Sequence, residues 1–422
     1  MSNTVEGDGT SALAPKPRHV PDHLVYDFDL YEIPGASEDV HRALKAVQDG
    51  APDIFWTPRN GGHWVATRAA DITAMQRDYR HFSNRQILIP PAPEGTPRQI
   101  PLEMDPPEHP FYRRQLVEAL LPAIVADLEQ NVRKVAVEII ERLTPQGKCE
   151  FIGDFAKVLP IHVFLDMVDL PLEDKPYLLD LTEDSVRGRT AEIRNNAHRA
   201  VGNYLHKWVI ARREKPGDDL LSKLVNVEIA DGRISLDDAI AYASLVLFGG
   251  LDTVAAMLGF VARFLATHPD HRHQLIERLD DKAFLKQAIE ELIRRHGLAN
   301  TARIIPDDFE YNGIFFRAGD RILPPNLMVG LDDRINADPL TVDFSREKPV
   351  HAAFGNGPHA CPGATLARRE LLVFLEEWLP RIPHFELKPG SAPVLATGMV
   401  NGVLRLELSW PSAADASISA AA

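Results

Sequence analysis

HAAFGNGPHACPGATLARRELL, residues 351–372, is the stretch that decides the fold. It places Cys361 in a loop of Gly and Pro, directly before a segment whose apolar residues recur every three or four positions. That spacing predicts a helix that begins after the cysteine, with an apolar face formed by Leu371, Phe374, Leu375, Trp378 and Leu379. The free N–H groups and the positive pole at the start of a helix favour a thiolate.

The residues around Cys361 leave three roles open for it. A nucleophilic thiolate would need a base, and His359 is close enough in sequence to serve. A metal-bound thiolate would need backbone N–H donors to temper its charge, and the loop supplies them. The third role is that of a buried, inert thiol. Because Cys149 is the only other cysteine and no CxxC pair occurs, a zinc–thiolate site is disfavoured.

Composition describes an ordinary globular protein of 422 residues, 45% hydrophobic and 25% charged. Acidic residues outnumber basic ones by 60 to 46, which argues against nucleic acid as the main partner. Two cysteines form no disulfide framework and favour a reducing compartment, so we expect a cytoplasmic protein, and nothing requires more than a monomer. We predict a flexible N-terminal arm at 1–22, a single domain at 23–411 and a disordered tail at 412–422.

The secondary-structure pattern is mainly α with a minor β region. From Phe111 to about Leu298 the period is almost wholly helical, whereas Asn312-Gly313 between two β-prone runs predicts a hairpin with a type I′ turn. The most apolar segment, residues 239–266, is about as long as a membrane span. Asp252 and Arg263 interrupt it, so we interpret it as a buried core helix, opened by a cap at Ser235, and expect no membrane.

That apolar helix carries Phe248-Gly249-Gly250-Leu251-Asp252-Thr253, which contains residues that are unfavourable inside a buried helix. Glycine inside a helix costs roughly 1 kcal/mol relative to Ala, and a buried Asp is costly unless it is paired. Such violations indicate a functional site, where the glycines admit a flat ligand and the acid–alcohol pair passes protons. A helix kink with a satisfied polar pair is the alternative. Glu291-x-x-Arg294 is a common ion pair that alone carries little information.

Taken together, the FxxGxHxCxG loop, the GGxDT helix and the ExxR pair resemble the cytochrome P450 family, over residues 25 to 410. LFGGLDTV, MDPPEH, YRHFS and TGMVNGV resemble its bacterial camphor-hydroxylase branch. The resemblance implies a triangular prism of helices around a buried haem b, with Cys361 as the proximal iron ligand. It also implies further haem-binding residues, which are His109, Arg113, Arg303, Phe354, His359 and Gly249.

The same resemblance implies roles for the remaining motifs. Thr253 would stabilise the activated oxygen, and Asp252 would gate protons, swinging against a surface partner such as Arg187. Glu291 and Arg294 would hold the fold behind the haem. The activity implied is that of a monooxygenase that uses O2 and takes electrons from a [2Fe–2S] ferredoxin, itself reduced by an NADH-dependent reductase. A basic patch for docking that ferredoxin would comprise Arg80, Arg113, Arg114 and Lys348.

One departure concerns the substrate. Camphor hydroxylases carry a tyrosine in the Pro-rich loop just before an Ile-Pro step, whereas this chain has Pro97 there, so a polar anchor worth roughly 0.5–1.5 kcal/mol is missing. The candidate pocket residues are all apolar, namely Leu88, Leu245, Phe248, Ala299, Met399 and Val400. We therefore expect a small apolar terpenoid or norisoprenoid, ionone-like, as substrate.

Other functions are weighed against this one. Camphor hydroxylation proper remains an alternative, as does a non-catalytic haem sensor, which would need neither the relay nor an apolar pocket. A peroxygenase would normally lack the Asp252-Thr253 pair. A zinc site at His268, His271 and His273 is a further alternative, although we interpret these histidines as a solvated helix start.

Overall fold

A computed structural model of the chain describes residues 13–92, 95–187, 191–229 and 232–411. Thirteen α-helices lie within these residues, and α1 to α13 are, in chain order, Val40–Gly50, Ala69–Arg77, His109–Ala119, Pro122–Leu143, Val158–Met167, Lys175–Arg187, Ala191–Glu214, Leu220–Val225, Leu236–Thr267, Pro269–Glu277, Lys282–Arg295, Asn326–Leu331 and Ala364–Arg381. Thirteen short strands lie within the same residues, and β1 to β13 are Ile54–Thr57, His63–Ala66, Lys148–Glu150, Glu228–Ile229, Gly232–Arg233, Arg303–Ile304, Phe309–Tyr311, Ile314–Phe316, Arg321–Leu323, Glu386–Leu387, Val394–Ala396, Gly402–Arg405 and Glu407–Ser409.

Helix α9 is the central element of the fold. The Ser235 side chain accepts a hydrogen bond from the Asp238 N–H and caps its start, as predicted. In the described part of the chain it is the one helix long and apolar enough to cross a membrane, yet 67% of its most apolar stretch is buried inside the protein. Its two ends pack into two different apolar clusters. The prediction of a buried core helix is confirmed.

The strands form small sheets on the rim of the helical body. The largest has the order β1-β2-β9-β6, in which β2 and β9 are parallel and the other pairs antiparallel. The hairpin β7–β8 turns at Asn312 and Gly313, whose φ angles of 50° and 74° are those of the predicted type I′ turn. The mainly α architecture with a minor β region therefore agrees with the sequence pattern.

The segment from Phe111 to about Leu298 is almost wholly helical, as predicted, and its described strands are β3 and the β4–β5 hairpin. Strand β3 pairs with β13 near the end of the chain, and such a distant partner leaves no local periodicity. The sequence AADITAMQRDYRHF, from Ala69 to Phe82, also has a helical pattern, but helix α2 ends at Arg77.

The described part of the predicted N-terminal arm contacts the domain. The Ala14 N–H donates to the Pro58 carbonyl at 2.9 Å, and His19 Nε2 lies 2.8 Å from Asp320 Oδ2. Val20 is buried in the main apolar cluster. Residues 1–12 and the predicted tail, 412–422, lie outside the described residues.

Candidate active site

Cys361 ends a tight loop that is fixed by backbone contacts. Its N–H donates to the Phe354 carbonyl at 2.7 Å. Gly357 has a φ of 71°, and a Cβ there would lie 2.7 Å from the carbonyl oxygen of Gln76, at the end of α2. Only glycine permits both the backbone angle and this close approach. Helix α13 then begins at Ala364, so the sequence prediction of a loop followed by a helix is confirmed.

The Cys361 thiol is partly surrounded by protein. The residue is accessible to solvent, but it is surrounded by enough protein that burial raises the pKa of its thiol. The backbone N–H groups of Gly363 and Ala364, together with the charges of Arg113 and Arg368, act in the opposite direction and lower that pKa. These donors and cations surround the sulfur with groups that stabilise an anion.

A cluster of basic side chains gathers beside the cysteine loop from three parts of the chain. Arg113, on α3, donates through Nη2 to the Ala360 carbonyl in the cysteine loop. The rings of His109 and His359 lie 4.2 Å apart between centroids. Arg303, on β6, is buried and donates through Nη1 to the Ala302 carbonyl at 2.7 Å. The structure thus brings together four of the six further haem-binding residues that the resemblance implied, namely His109, Arg113, Arg303 and His359.

Burial dominates the electrostatics of this cluster. Burial lowers the pKa of His359 to about 2, with the nearby charges of His109, Arg303 and Arg113 adding to the effect. Burial likewise lowers the pKa of His109 to about 4 and that of Arg303 to about 10, and the Asp105 carboxylate opposes both shifts. At neutral pH the two imidazoles are therefore neutral, whereas the guanidinium groups stay charged.

The cluster fits the carboxylates of a haem. His359 Nε2 and Arg303 Nε are buried and have no hydrogen-bond partner. Among the described residues, neither Arg113 nor Arg303 forms an ion pair within 4.0 Å. Buried donors without acceptors and cations without carboxylates are costly unless an anion joins them. Two propionates would supply the acceptors, and the nearby Cys361 thiolate would bind the haem iron.

Helix α9 carries the two glycines and the polar pair. Gly249 is exposed in mid-helix, and a Cβ there would meet no atom within 4 Å. Thr253 donates through Oγ1 to the Gly249 carbonyl at 2.8 Å, which places the hydroxyl one turn from the glycine. Asp252 is 6% exposed. Its expected partner, Arg187, ends helix α6, but its side chain lies outside the described residues.

Glu291 and Arg294 form a fully buried pair on α11. Arg294 Nε and Nη2 donate to the two carboxylate oxygens of Glu291 at 2.7 and 2.8 Å. The guanidinium also donates to the carbonyls of Gly330, Pro339 and Thr341, so all five of its N–H groups have acceptors. The pair thereby joins α11 to α12 and to the segment that leads toward the cysteine loop.

A second network, not anticipated from the sequence, lies under Phe354. The Arg368 guanidinium carbon is 4.5 Å from the centroid of the Phe354 ring, and Arg368 pairs with Glu290, which also contacts His351 at 3.1 Å. Burial raises the pKa of Glu290, but hydrogen bonds from His351 and Arg368 outweigh it and bring that pKa to about 2. No local pattern marks Glu290, because its partners His351 and Arg368 lie far along the chain.

The six predicted pocket residues come from the Pro-rich loop, from α9, and from the segments around Ala299 and Val400. Ala299 and Val400 face each other in an isolated bridge, and the Met399 carbonyl accepts from Asn300, so three of the six are brought together. Leu245 and Phe248 lie on α9, where the Phe248 ring packs against His198 at 4.8 Å between centroids.

Leu88, the sixth, lines a cavity that also contains three arginines.

The alternative zinc site is not supported by the geometry. His268 Nδ1 lies 2.9 Å from the Phe264 carbonyl, and His271 Nε2 lies 3.0 Å from the Val342 carbonyl, so both rings are engaged with backbone. In the part of the chain that the structure describes, no group of three His, Cys, Asp or Glu side chains could hold a metal ion.

Comparison with known proteins gives a consistent result. A family model described as cytochrome P450 matches residues 122–407. The chain is 34% identical over 405 residues to a probable cytochrome P450 127A1 of Sinorhizobium fredii, covering 94% of this chain and 97% of the relative.

Two solved structures resemble it closely. The crystal structure of CYP101J2 is 36% identical with a TM-score of 0.86, and that of cytochrome P450 CYP101C1 is 34% identical with a TM-score of 0.86. Each alignment covers 94% of this chain and all of the solved chain.

Proposed function

Because the chain belongs to the cytochrome P450 family, whose members are haem-thiolate monooxygenases, we propose that it hydroxylates a small apolar terpenoid or norisoprenoid of the ionone type. The observation that carries this proposal is the Pro-rich loop. Pro97 stands where a camphor hydroxylase has its ketone-binding tyrosine, and Ala299, Met399 and Val400 come together as an apolar surface. An apolar substrate with a weak polar anchor suits such a lining.

When bound, the haem supplies the activation of O2 and the oxygenation of the substrate. The chain supplies position, exclusion of water and control of protons. Arg113, Arg303, His109 and His359 would hold the propionates, with the two guanidinium groups giving charge and the neutral imidazoles giving hydrogen bonds. Cys361 would donate electron density through Sγ, while the N–H groups of the helix start limit the charge on that sulfur.

Helix α9 would control the protons. The Thr253 hydroxyl, which now donates to the Gly249 carbonyl, can turn to hold a proton at Oγ1 toward the ligand side of the helix. Asp252 lies next to it, is almost inaccessible to solvent, and would move protons inward from the surface. The exposed backbone at Gly249 would let a flat group pack directly on the helix.

Electrons would come from a small acidic [2Fe–2S] ferredoxin, with an NADH-dependent reductase behind it. Arg80, Arg114 and Lys348 are exposed, and Arg77, near Arg80 in sequence, contacts the cysteine loop at Gly357. Charge reversal at Arg114 should slow electron transfer from the ferredoxin, whereas reversal at Arg317, on the β8–β9 turn, should not.

We also propose a monomer in the cytoplasm, where a chain with two unpaired cysteines stays reduced.

An optical titration tests the substrate class. Purified ferric protein is titrated with β-ionone and with camphor while the Soret band is followed, since a ligand that displaces iron-bound water shifts the band from low to high spin. We expect β-ionone to produce the shift at concentrations where camphor does not. A strong camphor shift would show that another residue replaces the tyrosine and that the enzyme is a camphor hydroxylase.

A further inference from the structure

A cavity of about 230 Å³ lies between the Pro-rich loop and strand β9. Leu88 and Pro97, which the substrate proposal also involves, line it, whereas none of the residues assigned above to the haem or to the proton relay does. Three of its lining residues are arginines, Arg85, Arg98 and Arg321, in a chain whose formal net charge is −14. A concentration of cations in a concave site of an acidic protein focuses a local positive potential.

Among the described residues, the Arg321 guanidinium has neither an ion pair nor a full set of hydrogen-bond acceptors. It is half-buried on β9, and its Nη2 donates to Gln86 Oε1 at 2.8 Å. Its Nε is buried and has no acceptor, and no ion pair of Arg321 occurs within the described residues. Burial lowers the pKa of its guanidinium, with no carboxylate to offset the effect. A half-buried guanidinium of this kind is stabilised when an anion completes its hydrogen bonds.

The other charged groups of the lining pair with neighbouring residues and not with Arg321. Arg98 donates through Nε to the Glu103 carbonyl at 2.8 Å and through Nη2 to Glu108 at 3.2 Å. Arg85 lies 3.6 Å from Asp105, with 71% of its side chain exposed. The Glu103 carboxylate accepts from the Gln99 N–H at 2.8 Å, and it is the one acidic side chain in the described lining.

We propose that this cavity binds a small organic monocarboxylate, with Arg321 as its anchor. The planar fork of a guanidinium matches the two oxygens of a carboxylate. Leu88, together with three further apolar residues of the loop, would cover a short hydrocarbon portion of the ligand. Because Glu103 faces the same space, a monoanion is favoured over a dianion such as phosphate. The volume suits a ligand smaller than a typical drug-sized molecule.

Calorimetric titration of the ferric holoprotein tests the proposal. The probes are cyclohexanecarboxylate, its neutral analogue cyclohexanecarboxamide and inorganic phosphate. The variants are Arg321→Gln and, as a matched control four residues earlier on the β8–β9 connection, the exposed Arg317→Gln. We expect the carboxylate to bind once per chain and at least tenfold more tightly than the carboxamide or phosphate. R321Q should lose at least tenfold in affinity, while R317Q stays within twofold of the unaltered protein.

Three results would overturn the proposal: equal binding by R321Q, equal binding of carboxylate and carboxamide, or phosphate binding as tightly as the carboxylate. A Soret shift caused by the carboxylate and retained in R321Q would also overturn it, because the probe would then bind at the haem. If R321Q loses its haem or its fold, Arg321→Lys replaces it, and this variant should show weakened binding because it keeps the charge but not the fork. Binding is measured without reductant, so the result is independent of which substrate the enzyme hydroxylates.

Discussion

The imidazole rings of His109 and His359 lie 4.2 Å apart, although one belongs to helix α3 and the other to the cysteine loop. Burial keeps both rings neutral, while Arg113, one turn beyond His109, binds the loop carbonyl of Ala360. Helix α3 is therefore fastened to the loop through the same side chains that would hold the haem propionates. Haem retention and loop geometry should depend on one another.

Arg113→Gln tests this dependence, with the neighbouring Arg114→Gln as control. Arg113 would lose a charge-assisted bond to a propionate as well as its bond to the loop, whereas Arg114 is exposed and pairs only with Glu118. We expect R113Q to release haem roughly tenfold faster or more, and R114Q to match the unaltered protein, measured by haem transfer to excess apomyoglobin. Equal release rates for the two variants would remove Arg113 from the haem site.

Thr253→Ala should uncouple electron consumption from product formation. The methyl side chain cannot hold a proton, so the fraction of NADH that ends in hydroxylated product should fall on the order of tenfold or more, with hydrogen peroxide released instead. Thr253→Ser, which keeps the hydroxyl, should restore most of the coupling. If T253A and T253S couple equally well, the hydroxyl has no part in proton delivery.

Glu291→Gln should destabilise the fold strongly. It leaves the buried Arg294 charge without its carboxylate, which costs about 3–5 kcal/mol in comparable cases. The exposed pair Arg114–Glu118 offers the control, since Glu118→Gln should cost less than about 1 kcal/mol. Denaturant midpoints of the two variants measure the difference, and a small shift for E291Q would mean that the pair is dispensable for folding.

Glu370→Gln should change how stability depends on pH. Glu370 is buried on α13, and burial raises the pKa of its carboxyl from 4.5 to about 8. Between those values the folded protein keeps a proton that the unfolded chain releases, so this group lowers the free energy of unfolding as pH rises. Because the glutamine amide does not titrate, the variant does not lose stability in this way as pH rises. We expect E370Q to melt at a higher temperature than the unaltered protein at pH 8, with little difference at pH 5. Parallel melting curves at both pH values would contradict the assignment.

The sequence predicted the features that depend on near neighbours. The Cys361 loop and its helix, the cap at Ser235 and the turn at Asn312-Gly313 all carry their signals within a few residues. The convergence of Arg303 with Arg113 and His359 could be anticipated only from the family resemblance, because nothing local links these positions.

Other features could be anticipated neither from the local sequence pattern nor from the family resemblance. The pairing of β3 with β13 depends on a partner far along the chain. Glu290 and Arg368 become a pair only when α11 and α13 pack together. The contact between the Phe248 ring and His198 depends on the packing of α7 over that turn of α9. Such contacts arise from the packing of whole helices, for which a single sequence offers no local signal.

The central claim is that Cys361 binds the haem iron as a thiolate, and the chain's other cysteine provides the control. Cys149 is buried in β3, where burial raises the pKa of its thiol, so it is a poor ligand. The decisive measurement is the absorption spectrum of the reduced, carbon-monoxide-bound protein for Cys361→Ser and Cys149→Ser. We predict that C149S keeps the red-shifted Soret band of thiolate ligation and that C361S loses it. A C361S protein that retains the band would contradict the assignment of the ligand.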